Sequence, residues 1–126
     1  MNKPIFTYGT LKKGFSNHRI LDGKYDNMEK GVTKGVLYNV ACFPALIHGE
    51  EAVKGEIFYI SDESYNQVVR SMDWLEGYDQ DYLKDSMYIR EIVEVEKEDG
   101  NKIECYTYIW NESIDGLEKL NGEFLK

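Results

Sequence analysis

The first apolar cluster of the chain, Ile5-Phe6-Thr7-Tyr8, mixes β-branched and aromatic residues. With Pro4 ahead of it, it predicts a strand that Gly9 brings to a turn. Ser16-Asn17-His18-Arg19-Ile20-Leu21 then predicts a short helix, with Ser16 or Asn17 as N-cap and Gly23 as its stop. Extended segments follow near residues 28–32, 35–40, 45–48 and 53–60, each bounded by Gly or Pro as in a meandering sheet. The clearest periodicity lies in residues 61–76. There Tyr65, Val68, Val69, Met72 and Leu75 recur on one face of a helix. Ser61 is placed to cap it, Asp62 and Glu63 sit at the positive end of its dipole, and Gly77 stands at the position that ends it. Two long extended runs, residues 87–97 and 102–110, read as a hairpin joined through Asp99-Gly100-Asn101, and residues 113–126 as a short helical or irregular tail.

Helices in this order do not alternate strictly with strands, which predicts an α+β fold rather than a doubly wound parallel sheet. The ten tyrosines, many on short strands, suit a small curved or closed sheet with aromatic filling. A length of 126 residues predicts one domain over residues 1–126. The formal net charge of −8, with no local basic stripe, argues against a nucleic-acid partner. No run approaches the roughly 20 apolar residues that a membrane span needs, and no apolar region follows Met1-Asn2-Lys3-Pro4, so a cytoplasmic location is expected. Cys42 and Cys105 share no metal-ligand spacing, and with His18 and His48 the only histidines, no metal site is expected. Reduced, buried thiols fit that setting better than a disulfide; a nucleophilic Cys42 paired with His48 is the reactive alternative.

The candidate chemistry begins at Tyr8-Gly9-Thr10-Leu11-Lys12-Lys13-Gly14. A turn that leaves a strand through glycine can aim successive backbone N–H groups at one point, which suits a carboxylate ligand. An ordinary tight turn is the plainer reading of the same residues. At the far end of the strong helix, Glu76 faces the negative pole of the dipole, which raises a carboxyl pKa toward the range useful for proton transfer. Taken alone, a Glu at a helix end is ordinarily a solvated surface residue. Tyr88 and Arg90 alternate on one face of a strand and can reach the same neighbour, and Arg90 suits a carboxylate in a ligand or in the protein itself. Glu56, after Gly55 in a strand, reads as structural.

The glycine-turn segment with Asn17-His18, then Val53-Lys54-Gly55-Glu56, Asp73-Trp74-Leu75-Glu76-Gly77-Tyr78 and Tyr88-Ile89-Arg90, resembles in order and spacing the γ-glutamylcyclotransferase-like (AIG2-like) family. The resemblance runs from the first strand to about Trp110. It implies a small mixed β-barrel flanked by helices, with a pocket at one end. It further implies release of 5-oxoproline from a small γ-glutamyl substrate, without metal or organic cofactor. Glu76 falls at the place of the general acid/base. Tyr8, Gly9, Thr10 and Leu11 fall at the substrate-carboxylate loop, and Tyr88, Arg90 and Tyr108 at further substrate-binding positions. Asn17 and His18 match the family's Asn-His, for which bracing of the loop is the expected role. Phe43-Pro44 stands where the family often has Tyr-Pro, which removes one pocket hydroxyl and bears on substrate choice. The absence of an insertion to clamp a tripeptide favours a γ-glutamylamine type of substrate. A non-catalytic module binding a carboxylated amine is the alternative function.

Overall fold

The computed structural model describes residues 2–41 and 43–124. Its strands are β1 (Ile5–Thr7), β2 (Tyr25–Val40), β3 (Phe43–Ile60), β4 (Tyr88–Lys97), β5 (Lys102–Trp110) and β6 (Glu118–Lys119). Five of them close in the order β3-β1-β5-β4-β2, with β2 returning to β3, and β6 extends the sheet beyond β2. β1 runs parallel to β5, with Ile5 opposite Tyr106, while every other pairing is antiparallel. The expected α+β class and small mixed barrel are therefore present. One α-helix, α1 (Tyr65–Leu75), packs on the outside, with three short 3-10 turns at Ser16–Ile20, Asp62–Ser64 and Leu83–Asp85.

The four extended segments expected between residues 28 and 60 are instead two long strands joined into one hairpin. Their glycines do not end strands; they mark where the barrel wall is approached closely. A Cβ on Gly31 would lie 2.6 Å from Val95 Cγ1 and 2.8 Å from Ile57 Cδ1, and one on Gly55 would lie 2.3 Å from the Thr7 carbonyl oxygen. The register shifts between Tyr25 and Asn27 and again between Gly35 and Val36, which lets the hairpin bend around the barrel.

The helix also differs at its start. Ser61 does not cap it: its hydroxyl donates to Asp26 Oδ1 at 2.7 Å, and the 3-10 turn Asp62–Ser64 leads into α1. At the other end Gly77 takes φ 67°, the left-handed conformation expected of a helix-terminating glycine. Residues Ser16–Ile20 form a 3-10 turn with Phe15, not Ser16 or Asn17, at its cap position. The tail is irregular apart from β6, and is pinned by Leu120 N–H to Leu37 O (2.7 Å) and Lys54 N–H to Gly122 O (2.8 Å).

Alternation along β1 sends Ile5 and Phe6 into two different cores. Ile5 joins Phe58, Tyr65, Val68 and Met72 beneath α1, whereas Phe6 joins Leu37, Leu46, Ile57 and Val95 within the barrel. Each fully buried side chain of this kind contributes about 1.5–3 kcal/mol. Cys105 is buried in the second core, where desolvation pushes its thiol up to about 12, so it behaves as a small hydrophobe. Cys42, the candidate nucleophile, lies outside the described residues, and His48 sits at the surface against Glu91 at 3.1 Å. Among the described residues, no helix is long and apolar enough to cross a membrane and no group of His, Cys, Asp and Glu is arranged to hold a metal ion.

Candidate active site

At the end of β1 the chain passes Tyr8 and bends at Gly9, whose backbone lies against Pro44 on β3. A Cβ there would fall 2.5 Å from Pro44 Cγ, so the close approach requires glycine. The turn is closed by Lys12 N–H to Gly9 O (3.0 Å) and held from outside by Asn17. The Asn17 side-chain amide donates to Thr10 Oγ1 (2.8 Å) and its backbone amide to Thr10 O (3.0 Å). His18 Nδ1 lies 3.0 Å from the Leu11 carbonyl, which calls for the tautomer with its proton on Nδ1. Asn17 and His18 thus brace the loop. Among the described residues, the N–H groups of Gly9, Thr10 and Leu11 donate to no protein acceptor, and these three residues line a cavity of ≈ 180 Å³.

Glu76 lines the same cavity. Its amide closes α1 on Met72 O at 2.9 Å, so the helix end fixes where its side chain starts. Among the described residues, its carboxyl makes no hydrogen bond or ion pair. Burial pushes its pKa up to about 7. Desolvation, rather than the helix terminus expected from the sequence, supplies this shift.

Three tyrosines surround the carboxyl, and each spends its one proton elsewhere. Tyr8 OH donates to Tyr108 O (2.6 Å), Tyr88 OH to Pro44 O (2.7 Å) and Tyr108 OH to Asp73 Oδ1 (2.6 Å). Burial is the largest cause holding all three pKa values above the ordinary phenol range, and the negative charge of Glu76 adds to it. Each is therefore a neutral phenol that has only lone pairs left to offer. The cavity pairs side-chain acceptors around Glu76 with backbone donors at Gly9, Thr10 and Leu11.

Arg90 does not line this cavity. Tyr88 and Arg90 do not meet one neighbour, as the strand alternation suggests they can. Tyr88 reaches Pro44, whereas the Arg90 guanidinium is drawn to Asp73 Oδ2 on α1 (2.8 Å) and lies over the Tyr78 and Tyr106 rings at 5.5 and 5.1 Å. Of the two readings of Arg90, the geometry matches the internal ion pair. Glu56 accepts the Lys13 N–H at 2.6 Å, which is a structural contact. Tyr8, Gly9, Thr10, Leu11, Glu76, Tyr88 and Tyr108 are thus brought together, and Arg90 stands behind them.

Sequence reasoning overlooked Asp73 as the anchor of Tyr108. The available signal was its spacing of three from Glu76, which puts both carboxylates on one side of α1. Burial raises the Asp73 carboxyl pKa, while the Tyr108 hydrogen bond and the Arg90 charge pull it back. Asp73→Ala leaves a phenol and a guanidinium without their acceptor, both partly or wholly buried. The expected cost is about 2 kcal/mol, read as a lower urea midpoint with an unchanged slope. A midpoint equal to wild type would remove Asp73 from this role.

A family model described as "Gamma-glutamyl cyclotransferase, AIG2-like" matches residues 5–125. The chain is 29% identical over 124 residues to a protein of Methanocaldococcus jannaschii, covering 95% of this chain and 93% of that one. It is 28% identical over 119 residues to a protein named gamma-glutamylaminecyclotransferase from Rattus norvegicus, covering 82% of this chain and 75% of that one. A crystal structure of an AIG2-like protein from Mus musculus matches with a TM-score of 0.70 at 25% identity, over 95% of this chain and 86% of that one.

Proposed function

The chain belongs to the gamma-glutamyl cyclotransferase, AIG2-like family, and we propose that it is a cyclotransferase acting on γ-glutamyl amines. In this reaction the α-amine nitrogen of the γ-glutamyl group attacks its own γ-carbonyl carbon. A C–N bond forms within a five-membered lactam, the C–N bond to the outgoing amine breaks, and 5-oxoproline and a free amine result. No electrons change hands, so the reaction balances without a redox partner. Nucleophile and electrophile share one molecule, so much of the rate comes from holding them in contact.

Two proton transfers remain. The α-ammonium must lose a proton before attack and the departing nitrogen must gain one, and the Glu76 carboxylate takes the first and returns it. The unpaired N–H groups of Gly9, Thr10 and Leu11 hold the substrate α-carboxylate. The phenol oxygens, offering only lone pairs, accept from the α-ammonium. Arg90 acts as a positioning residue, holding Asp73 and through it Tyr108. The carrying observation is an unpaired carboxyl, brought near neutrality by burial, sharing a small cavity with unpaired amides. The name of the rat relative supports the amine subclass.

The test is release of 5-oxoproline from a panel of γ-glutamyl amines and γ-glutamyl amino acids. Turnover of the amines supports the proposal; saturable binding that returns every ligand intact would leave a binding module instead. The pH dependence carries its own sign. Glu76 accepts a proton only when ionised, so kcat/KM should rise with pH through a limb centred near 7. That midpoint should stay in place across substrates whose own amine pKa values differ. A limb that moves with the substrate would mean that the substrate amine, not Glu76, is being titrated.

A further inference from the structure

Around Glu76 the cavity is polar, but its outer wall is not. Val40, Phe43, Leu75, Met87 and Trp110 form that wall, and among the described residues Glu76 is the only charged side chain in the lining. Phe43 and Met87 are 52% and 43% exposed, which puts them at the mouth, where the part of a ligand beyond the reacting centre must lie. Met87 is seated there by Gly77: a Cβ on that glycine would already touch Met87 Cβ and Cε at 3.4 Å. Trp110 offers its ring rather than its N–H, because Nε1–H donates to Ser113 O at 3.2 Å while the ring packs edge-on against Tyr88 at 5.1 Å. Exposed apolar side chains grouped at the rim of a cavity mark a contact surface for an apolar ligand part.

We propose that the amine released from the substrate is uncharged and apolar beyond its nitrogen, an alkyl or arylalkyl amine, and that Phe43 and Met87 select it. This rests on the cyclotransferase reading above. A released amino acid would carry a second carboxylate into the cavity, where among the described residues no cation lines the wall and Glu76 repels it. The chain's net charge of −8 adds to that bias. A cationic tail would lose hydration against the same wall without gaining a partner, since the Glu76 carboxyl is occupied with the reacting nitrogen.

The test uses four γ-glutamyl conjugates of matched length: of phenethylamine, isopentylamine, putrescine and glutamate. Wild-type kcat/KM should be about 10-fold or more higher for the two apolar conjugates than for the two charged ones. Phe43→Ala and Met87→Ala should each lower the apolar values about 10-fold, with Phe43→Leu restoring most of the loss. Met87→Lys should raise turnover of γ-glutamylglutamate. Both positions are exposed, so these variants keep the fold. Equal or higher kcat/KM for γ-glutamylglutamate in wild type would overturn the proposal. If no conjugate releases 5-oxoproline, the reaction class fails separately. Calorimetric affinities of the same four conjugates for Glu76→Gln then decide the amine class: apolar conjugates binding tighter supports it, and the reverse order sinks it.

Discussion

Glu76→Gln should abolish 5-oxoproline release and at the same time make the protein more stable above neutral pH. The amide keeps the shape of the carboxylic acid but cannot accept the α-ammonium proton. Removing a positioned acid/base of this kind costs roughly 10²–10⁴-fold in rate. The stability gain follows from the same burial. An unfolded Glu ionises near 4.5, whereas the folded carboxyl holds its proton up to about 7. Below the lower value both states are protonated and the residue costs nothing. Between the two values the unfolded state has ionised while the folded state still holds its proton, so stability falls, and the loss is complete once pH has risen through the upper value. At about 1.4 kcal/mol per pH unit the cost approaches ~3 kcal/mol above pH 7. Gln does not pay it. Urea midpoints of the two proteins should therefore agree near pH 4 and diverge by pH 8, with Glu76→Gln the more stable. Midpoints that differ equally at both pH values would mean the carboxyl is solvated in the folded protein, and equal activities would remove it from the chemistry.

Gly55→Ala should be strongly destabilising, although the added methyl lies away from the cavity. The added Cβ would lie 2.3 Å from the Thr7 carbonyl oxygen and 2.6 Å from Phe6 Cζ. A carbonyl oxygen in a β-ladder has no rotamer to escape into. β1 pairs with β3 at Thr7↔Glu56, so relief requires β1 to move off its partner. Overpacking of this kind typically costs 1–3 kcal/mol and more where backbone must shift; ~3 kcal/mol corresponds to roughly 10 °C in Tm for a chain of this size. Because β1 runs directly into Tyr8 and Gly9, the loss should extend to KM for any γ-glutamyl substrate. Gly23→Ala is the control: a Cβ there meets nothing within 4 Å, and its cost comes only from φ 76°. A Gly55→Ala protein as stable as that control would show that the strands are not in close contact.

Most local features were legible without coordinates. The face Tyr65, Val68, Met72 lies in α1, Gly77 ends the helix in the left-handed conformation, and the hairpin of β4 and β5 turns at Gly100 with φ 88°. The misreadings share one cause. Gly35 and Gly49 look like punctuation to a local reading, yet they lie inside continuous strands, where a Cβ would fall 2.6 Å from Leu46 Cδ1 and 2.5 Å from Val36 Cγ2 on the facing strand. Ser61 had the chemistry of an N-cap but found Asp26 on β2 as a better partner.

By itself the sequence determined the short-range geometry. It set a glycine turn at the end of β1 and a carboxylate in the residue that ends α1, because turn and helix propensities act within a few residues. The tertiary structure alone decided what those groups experience. Barrel closure brings Tyr8, Tyr88 and Tyr108 around Glu76, turns Arg90 to Asp73, and leaves the cavity mouth apolar. The near-neutral carboxyl is the clearest instance. A pKa depends on which atoms displace water from a group, and here those atoms come from β1, β3, β4, β5 and α1 together.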